Sequence, residues 1–130
     1  MANLASKTLL LATTAALATG CAYWRPYGAE EVRGGVMTDW YAHQTVYTFE
    51  KDPTNPPAST CDPYCETFWP PVRPTAWDRP SGDFTIIKRT DGTQQWAYKG
   101  KPLYYYVKDT KTGDKLGDGV GGMWRAVTFK

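Results

Sequence analysis

The chain has 130 residues, with 15 Lys and Arg against 13 Asp and Glu and a formal net charge of +2. This length supports one modest hydrophobic core, and the near-balanced charge excludes the basic surface that nucleic-acid binding requires. Six Trp, nine Tyr and four Phe, beside ten Pro and twelve Gly, favour short strands and many turns over helices.

The first 20 residues have the layout of a secretory signal peptide. Lys7 precedes an apolar run over residues 8–17, which is too short to span a bilayer permanently. Residues 17–21, Leu-Ala-Thr-Gly-Cys, resemble a bacterial lipobox, so we predict acylation of Cys21 and a lipid anchor in the cell envelope. The alternative is an ordinary signal peptide with a chance cysteine. Ala22, by analogy with lipoprotein sorting in two-membrane bacteria, favours the outer membrane, with the domain facing the periplasm or the cell surface.

Two segments of the chain share one pattern. Residues 46–52 read Val-Tyr-Thr-Phe-Glu-Lys-Asp, and residues 103–109 read Leu-Tyr-Tyr-Tyr-Val-Lys-Asp, 57 positions further on. Trp69 and Trp124, 55 positions apart, extend the register. Such self-similarity indicates a repeated structural unit. We therefore predict a tether at 21–30, then a single domain at 31–130 built from two divergent repeats, about 31–75 and 82–130.

Strand signals occur in both halves of this domain. Residues 83–90 and 93–98 flank Asp91-Gly92, a dipeptide that favours a type I′ hairpin turn. Gly100-Lys101-Pro102 then turns the chain into a third predicted strand at 103–108, and 123–129 supplies a last one. The first half repeats the pattern less regularly, at 35–37, 40–42 and 45–50. The fold class predicted is all-β, a small sandwich or barrel-like domain made of two tandem antiparallel meander repeats.

The shared pattern also predicts which side chains act together. Because strand side chains alternate between faces, Tyr47 and Phe49 should share a face in the first copy, and Tyr104 and Tyr106 should share a face in the second. Asp52 and Asp109 follow the predicted strands, where a carboxylate can accept backbone N–H bonds and cap the next loop.

A long proline-rich connection, residues 53–81, joins the two halves. In an exported protein Cys61 and Cys65 are expected to form a disulfide, and their spacing fits neither a Cys-x-x-Cys redox motif nor a structural zinc site. A ring this small shapes a loop more than it stabilises the domain. Long loops are often functional, so Trp69 and Trp77 are predicted to lie on a partner surface.

These features resemble a bacterial family of secreted-repeat lipoproteins whose signature is a Tyr-x4-Asp motif, found here at Tyr47–Asp52 and Tyr104–Asp109. The family pattern also includes a Cys-x3-Cys followed by Trp-Pro-Pro, here within residues 61–71, and stretches similar to 90–104 and 117–124. The resemblance extends over essentially all of residues 35–127. It implies export, and because the family is described as having no known function, it implies no reaction.

Few residues suggest catalysis or a cofactor. Residues 117–122 match G-x-G-x-x-G formally, but a dinucleotide site needs this motif between a strand and a helix, whereas here it leads into a predicted strand. Asp109, Asp114 and Asp118 lack the glutamate that an EF-hand loop requires at its twelfth position. We interpret these residues as turn formers and predict no catalytic residues, no metal and no cofactor.

Three functional hypotheses follow. The first is a non-catalytic envelope module that binds a protein or glycan partner through aromatic rings, with Trp40, Tyr98 and Tyr105 as further candidates if they face solvent. The second is a periplasmic copper or redox accessory protein that uses Met37, His43, Met123 or the cysteine pair. The third is a hydrolase with Asp52 and Asp109 as its carboxylates. The predicted acyl anchor and a repeat without catalytic groups favour the first.

Overall fold

Short antiparallel strands make up most of the regular structure in the computed structural model, which describes residues 31–33 and 35–129. In chain order the elements are β1 (Glu31–Arg33), β2 (Val36–Thr38), β3 (Tyr47–Phe49), α1 (Pro63–Phe68), β4 (Phe84–Lys88), β5 (Gln94–Tyr98), β6 (Lys101–Pro102), a 3-10 turn (Val120–Gly122) and β7 (Trp124–Ala126). β1 pairs with β2, β3 pairs with β7, and β4, β5 and β6 form a three-stranded sheet. This confirms the predicted all-β class, in a sandwich-like arrangement of separate sheets. The predicted signal peptide, Cys21 and the tether lie outside the described residues.

Backbone hydrogen bonds between the two halves come in matched pairs. The Tyr47 N–H donates to the Tyr104 carbonyl at 2.8 Å, and the Tyr104 N–H donates to the Tyr47 carbonyl at 3.0 Å. Other bonds follow the offsets of 57 and 55 positions read from the sequence: Val127 N–H to Val46 C=O matches Val72 N–H to Leu103 C=O, and Glu50 N–H to Met123 C=O matches Val107 N–H to Phe68 C=O. The pattern is that of a pseudo-twofold axis between Tyr47 and Tyr104.

The prediction of a third strand in the second meander, at residues 103–108, is wrong. β6 covers only Lys101–Pro102, and beyond it Tyr104 forms isolated bridges to Tyr47 and Pro71. Pro102 contributes no N–H to a ladder, and the chain turns from β5 towards the other half of the domain. In the same way β3 pairs with β7 at the far end of the chain, with Thr48 opposite Arg125.

The hairpin turns also differ in type from the prediction. At Asp91-Gly92 only the glycine has a positive φ, +85°, and the Arg89 N–H donates to the Thr93 carbonyl across a three-residue loop. This is a type I turn followed by a left-handed glycine, and the Asp91 carboxylate supports it by accepting the Thr93 N–H at 2.9 Å. The two-residue turn with both φ angles positive lies instead at Lys99 (49°) and Gly100 (77°), between β5 and β6.

The predicted strand at 40–42 is a turn. The Asp39 carboxylate accepts the backbone N–H groups of Tyr41 at 2.9 Å and Ala42 at 2.6 Å. Such local side-chain bonds compete with a strand ladder, and they return the chain through Gln44, whose carbonyl accepts the Asp39 N–H at 2.8 Å.

The connection at 53–81, predicted as a loop, contains the helix α1. Asp62 caps its N-terminus by accepting the Cys65 N–H at 2.8 Å, and Pro63 occupies the first helical position, where a missing N–H is tolerated. This turn brings the Cα atoms of Cys61 and Cys65 to 5.2 Å, and the predicted disulfide is confirmed.

Two clusters of buried side chains form the core. The first is largely aliphatic and consists of Met37, Val46, Val72, Trp96, Leu103 and Val127. The second, which we call the aromatic cluster, consists of Tyr47, Cys61, Trp69, Tyr104, Tyr106 and Trp124, with Phe49 packed against it. The aromatic cluster therefore contains the tyrosines of both sequence motifs.

Candidate functional site

The two Tyr-x4-Asp motifs are cross-linked by hydrogen bonds. The Tyr47 hydroxyl donates to Asp109 Oδ2 at 2.5 Å, and the Tyr104 hydroxyl donates to Asp52 Oδ2 at 2.6 Å. Each tyrosine thus binds the aspartate of the other motif. Both tyrosines are fully buried, and Asp52 and Asp109 are 7% and 4% exposed.

The second oxygen of each carboxylate caps a loop, as the sequence predicted. Asp52 Oδ1 accepts the backbone N–H of Thr60 at 2.8 Å and its hydroxyl at 2.7 Å. Asp109 Oδ1 accepts the N–H of Leu116 at 3.0 Å. All four carboxylate oxygens are therefore bound within the protein.

Burial favours the neutral forms of Asp109 and of both tyrosines by raising their pKa values. It raises the pKa of Asp109 above its ordinary value of 3.8, although the bonds from Tyr47 and from the Leu116 N–H oppose this shift. Burial and the neighbouring Asp109 raise the pKa of Tyr47 far above its ordinary value of 10.0, and burial together with Asp52 does the same for Tyr104. The phenols are thus held protonated, as hydrogen-bond donors rather than nucleophiles.

Four aromatic rings from the two halves form a continuous stack. Trp69 stacks on Trp124 with ring centroids 3.8 Å apart and planes 2° apart. Tyr106 covers the other face of Trp69 at 4.3 Å, and Phe49 covers the other face of Trp124 at 4.4 Å. Trp69 is only 6% exposed, so its predicted place on a partner surface is wrong. Trp69 is buried because it occupies the position that corresponds to Trp124 in the other half and stacks on that ring.

The backbone of Gly117 packs directly against the rings of the aromatic cluster. A Cβ at this position would lie 2.7 Å from Cη2 of Trp69 and 2.9 Å from Cε1 of Tyr47, well inside van der Waals contact. The backbone N–H of Gly117 also donates to the Tyr47 hydroxyl oxygen at 3.2 Å. The first glycine of the G-x-G-x-x-G match therefore serves packing.

A buried arginine that the sequence did not single out links the disulfide loop to β5. The Arg89 guanidinium donates to the Cys61 carbonyl at 2.9 Å and to Gln95 Oε1 at 2.5 Å. It also donates to Ser59 Oγ at 2.9 Å and forms an ion pair with Glu66. Arg89 follows directly on Lys88 at the end of β4, and nothing in the local sequence separates a buried cation from a solvated one.

Trp77 projects into solvent from a loop that hydrogen bonds hold in place. Its side chain is 76% exposed. The neighbouring Asp78 carboxylate is buried and accepts the Thr75 N–H at 2.7 Å and the Tyr41 hydroxyl at 3.1 Å. This joins the Trp77 loop to the turn that carries Trp40 and Tyr41, which are 37% and 53% exposed. We call Trp40, Tyr41 and Trp77 the aromatic patch. Tyr98 and Tyr105, the other rings considered, are half-buried.

A groove lies beside the β3–β7 ladder, where Thr48 is paired with Arg125. It consists of two adjoining cavities of about 400 and 330 Å³ that share Thr48, Lys101 and Arg125 as lining residues. Lys99 adds a third cation at one end, where its Nζ lies 5.4 Å from the centre of the Tyr98 ring. We call this region the basic groove. The remaining lining residues are Phe49, Glu50, Asp52, Thr54, Tyr98, Ala126, Val127 and Thr128.

The residues of the copper hypothesis are spread over different parts of the domain. Met37 is fully buried in the aliphatic cluster, Met123 packs against the aromatic cluster and His43 is exposed on a turn. Within residues 31–33 and 35–129, no three His, Cys, Asp or Glu side chains are grouped closely enough to hold a metal ion.

The geometry defines a small all-β protein whose most distinctive sequence motif is internal to its fold. Comparison with known protein families shows which of them resembles this chain. Residues 85–128 match a family described as a secreted repeat of unknown function, which confirms the resemblance seen in the sequence. The second half of the chain, from within β4 to just beyond β7, is thus similar to a secreted repeat, which indicates an extracellular or envelope location and defines no activity.

No curated protein and no solved structure matches the chain significantly. In the part of the chain that the structure describes, no helix has both the length and the hydropathy that crossing a membrane requires.

Proposed function

We propose that this protein is a lipid-anchored lipoprotein of the bacterial cell envelope that acts as a non-catalytic binding or structural module. The observation that carries the proposal is the cross-linked motif. Because Tyr47, Tyr104, Asp52 and Asp109 bond to one another inside the core, the family signature maintains the fold, and recognition of a partner falls to surface side chains. The same bonding disfavours the hydrolase hypothesis, since all four oxygens of the two carboxylates are already bound within the protein.

The anchor is tested at Cys21. We expect the full chain, expressed in a bacterium with two membranes, to fractionate with membranes and to carry acyl chains on Cys21 after cleavage of residues 1–20, because two or more buried chains hold a protein to a bilayer nearly irreversibly. Cys21→Ser should release the protein into the soluble fraction. Intact mass of the purified protein measures the modification. An unmodified Cys21, or a C21S variant that stays in the membrane fraction, would contradict the anchor and leave a secreted protein.

The aromatic patch is the surface that we propose for a protein or glycan partner of the envelope. A large aromatic ring that stays exposed on a loop held by hydrogen bonds can bury its area on a partner at little entropic cost. Asp78 provides this support through Thr75 and Tyr41. The ring therefore has the properties of an interface anchor.

We expect Trp77→Ala to reduce retention of envelope partners about tenfold or more, the usual size of a tryptophan hot spot. Retention is measured by pull-down from native membranes and by co-sedimentation with purified peptidoglycan. Tyr64→Ala is the matched control, because Tyr64 is 77% exposed, as Trp77 is, but lies on α1. Equal retention by the W77A and Y64A variants would reject the aromatic patch as the partner surface.

A further inference from the structure

The basic groove has a charge that the protein itself leaves unbalanced. Of its two acidic residues, Asp52 is already bound to Tyr104 and Thr60, and Glu50 pairs with Arg125 at 3.1 Å. Among the described residues, no carboxylate lies within ion-pair distance of the Lys99 or Lys101 ammonium group. Two ammonium groups therefore remain available at the groove, beside the Arg125 guanidinium, which also donates to the Trp124 and Gly122 carbonyls.

The pseudo-twofold relation shows that the fold does not require this groove. Thr48 lies opposite Arg125, and at the matching place in the other half the Tyr105 N–H donates to the Pro70 carbonyl at 2.8 Å. Tyr105 is therefore the counterpart of Thr48, and Pro70 is the counterpart of Arg125. The Tyr105 ring is half-buried against the aliphatic cluster, and its hydroxyl bonds to Asp39. At the position that corresponds to Thr48, a large aromatic side chain therefore packs on the domain.

The groove thus results from two local differences between the halves. A threonine stands where the other half has a space-filling tyrosine, and an arginine stands where it has a proline. Residues that served only packing would be expected to match their counterparts in the other half. The lining residues Thr48 and Arg125 differ from theirs, and together with the surplus of cations this points to a ligand.

The remaining lining residues narrow the chemistry of that ligand. Thr48, Thr54 and Thr128 place hydroxyl groups along the groove, and Tyr98 contributes an aromatic ring at the end where Lys99 lies. Cations pair with carboxylate or phosphate, hydroxyl groups exchange hydrogen bonds with sugar hydroxyls, and an aromatic face packs on the apolar face of a sugar ring. Each cavity has the volume of a small-ligand site.

We propose that the basic groove binds an anionic carbohydrate, a sugar unit that carries a carboxylate or a phosphate. The basic groove is separate from the aromatic patch, so a negative result with the Trp77→Ala variant does not count against this proposal. A positive result in the groove would define the ligand class of the binding module.

Isothermal titration calorimetry on the full chain tests this directly. The probes are trigalacturonate for a carboxylate sugar, glucose 1-phosphate for a phosphorylated one, maltotriose as the neutral sugar and hexaglutamate as an anion without sugar rings. We expect saturable binding of at least one anionic sugar, at least tenfold tighter than either maltotriose or hexaglutamate. The anionic sugar that binds more tightly identifies carboxylate or phosphate as the preferred group.

Three variants locate the binding. Thr48→Tyr introduces the side chain found at the counterpart position and should abolish binding by filling the groove. Lys101→Gln should weaken binding about tenfold, the usual effect of losing one charge-assisted hydrogen bond. Lys88→Gln is the matched control, because it removes the same charge from the exposed end of β4 and should leave the affinity unchanged.

The proposal is overturned if neither anionic sugar binds, if maltotriose or hexaglutamate binds as tightly, or if the K88Q variant loses as much affinity as K101Q. Thermal unfolding checks that T48Y folds. If it does not, the Lys99→Gln, Lys101→Gln double variant takes its place, with unchanged affinity again counting against the groove.

Discussion

Replacing Trp69 by alanine is expected to lower the free energy of unfolding by about 3–5 kcal/mol, the cost of removing a large buried ring. Trp69 lies between Trp124 and Tyr106 in the aromatic stack, and Tyr47 packs edge-on against it at 5.4 Å. Its removal leaves a cavity bordered by both halves of the domain. Since small domains have only about 5–15 kcal/mol of stability in total, the W69A variant should be close to unfolding at room temperature. Urea denaturation followed by far-UV circular dichroism measures the loss.

The same proline-rich connection contains the control. Trp77→Ala removes an identical ring that is 76% exposed, and a surface substitution of this kind changes stability by less than about 0.5 kcal/mol. Similar losses in W69A and W77A would mean that the stack does not hold the two halves together. The pair also separates stability from function, because only W77A is expected to affect partner retention.

Raising the pH above 10 is expected to unfold the protein cooperatively with ionisation of its buried tyrosines. Burial raises the pKa values of Tyr47, Tyr104 and Tyr105 far above the ordinary value of 10.0, and Asp109, Asp52 and Asp39 respectively add to the shift. A raised pKa in the folded state means that the neutral phenol stabilises the fold fully below the unfolded pKa. This contribution is lost as the pH rises from about 10 towards the folded pKa. Over this pH range each buried tyrosine lowers the free energy of unfolding by up to about 1.4 kcal/mol per pH unit.

The measurement is the free energy of unfolding as a function of pH, compared with the absorbance of tyrosinate. Tyr104→Phe removes one of the three phenols and should make the decline with pH less steep, at the cost of the Asp52 bond at neutral pH. Tyr64→Phe, which removes an exposed phenol, is the matched control. A stability that stays constant between pH 10 and pH 12, or a tyrosinate signal before unfolding that is larger than the exposed tyrosines account for, would show that these hydroxyls are accessible to water.

The cross-linked motif explains why a short pattern can mark a secreted repeat. Tyr47 with Asp109 and Tyr104 with Asp52 form two equivalent bonds across a pseudo-twofold axis, so each motif is completed only by the other copy. A single copy would leave a buried phenol and a buried carboxylate without partners, which is costly in a core. The motif therefore identifies the paired architecture, while the surface features that differ between the halves, such as the basic groove, are available for specific functions.

Local chemistry made part of this structure predictable from sequence. Strand-forming residues on either side of Asp91-Gly92 predicted β4 and β5, and strand alternation put Tyr47 with Phe49 on one face. Short polar side chains acted on backbone groups a few residues away, as at Asp52, and the spacing of Cys61 and Cys65 suited a turn. Arg89 and the position of the basic groove were not predictable in this way, because both depend on which distant segments surround them.

The sequence by itself determined the all-β class, the disulfide, the repeated motif and the capping role of its aspartates, because each depends on residues near one another in the chain. Only the tertiary structure decided that each tyrosine binds the other motif's aspartate, that β3 pairs with β7, and that Trp69 is buried whereas Trp77 is exposed. These outcomes depend on contacts between residues that lie 52 to 79 positions apart in the chain. The free energy of such contacts comes from the packing of both halves together, and local patterns do not encode it.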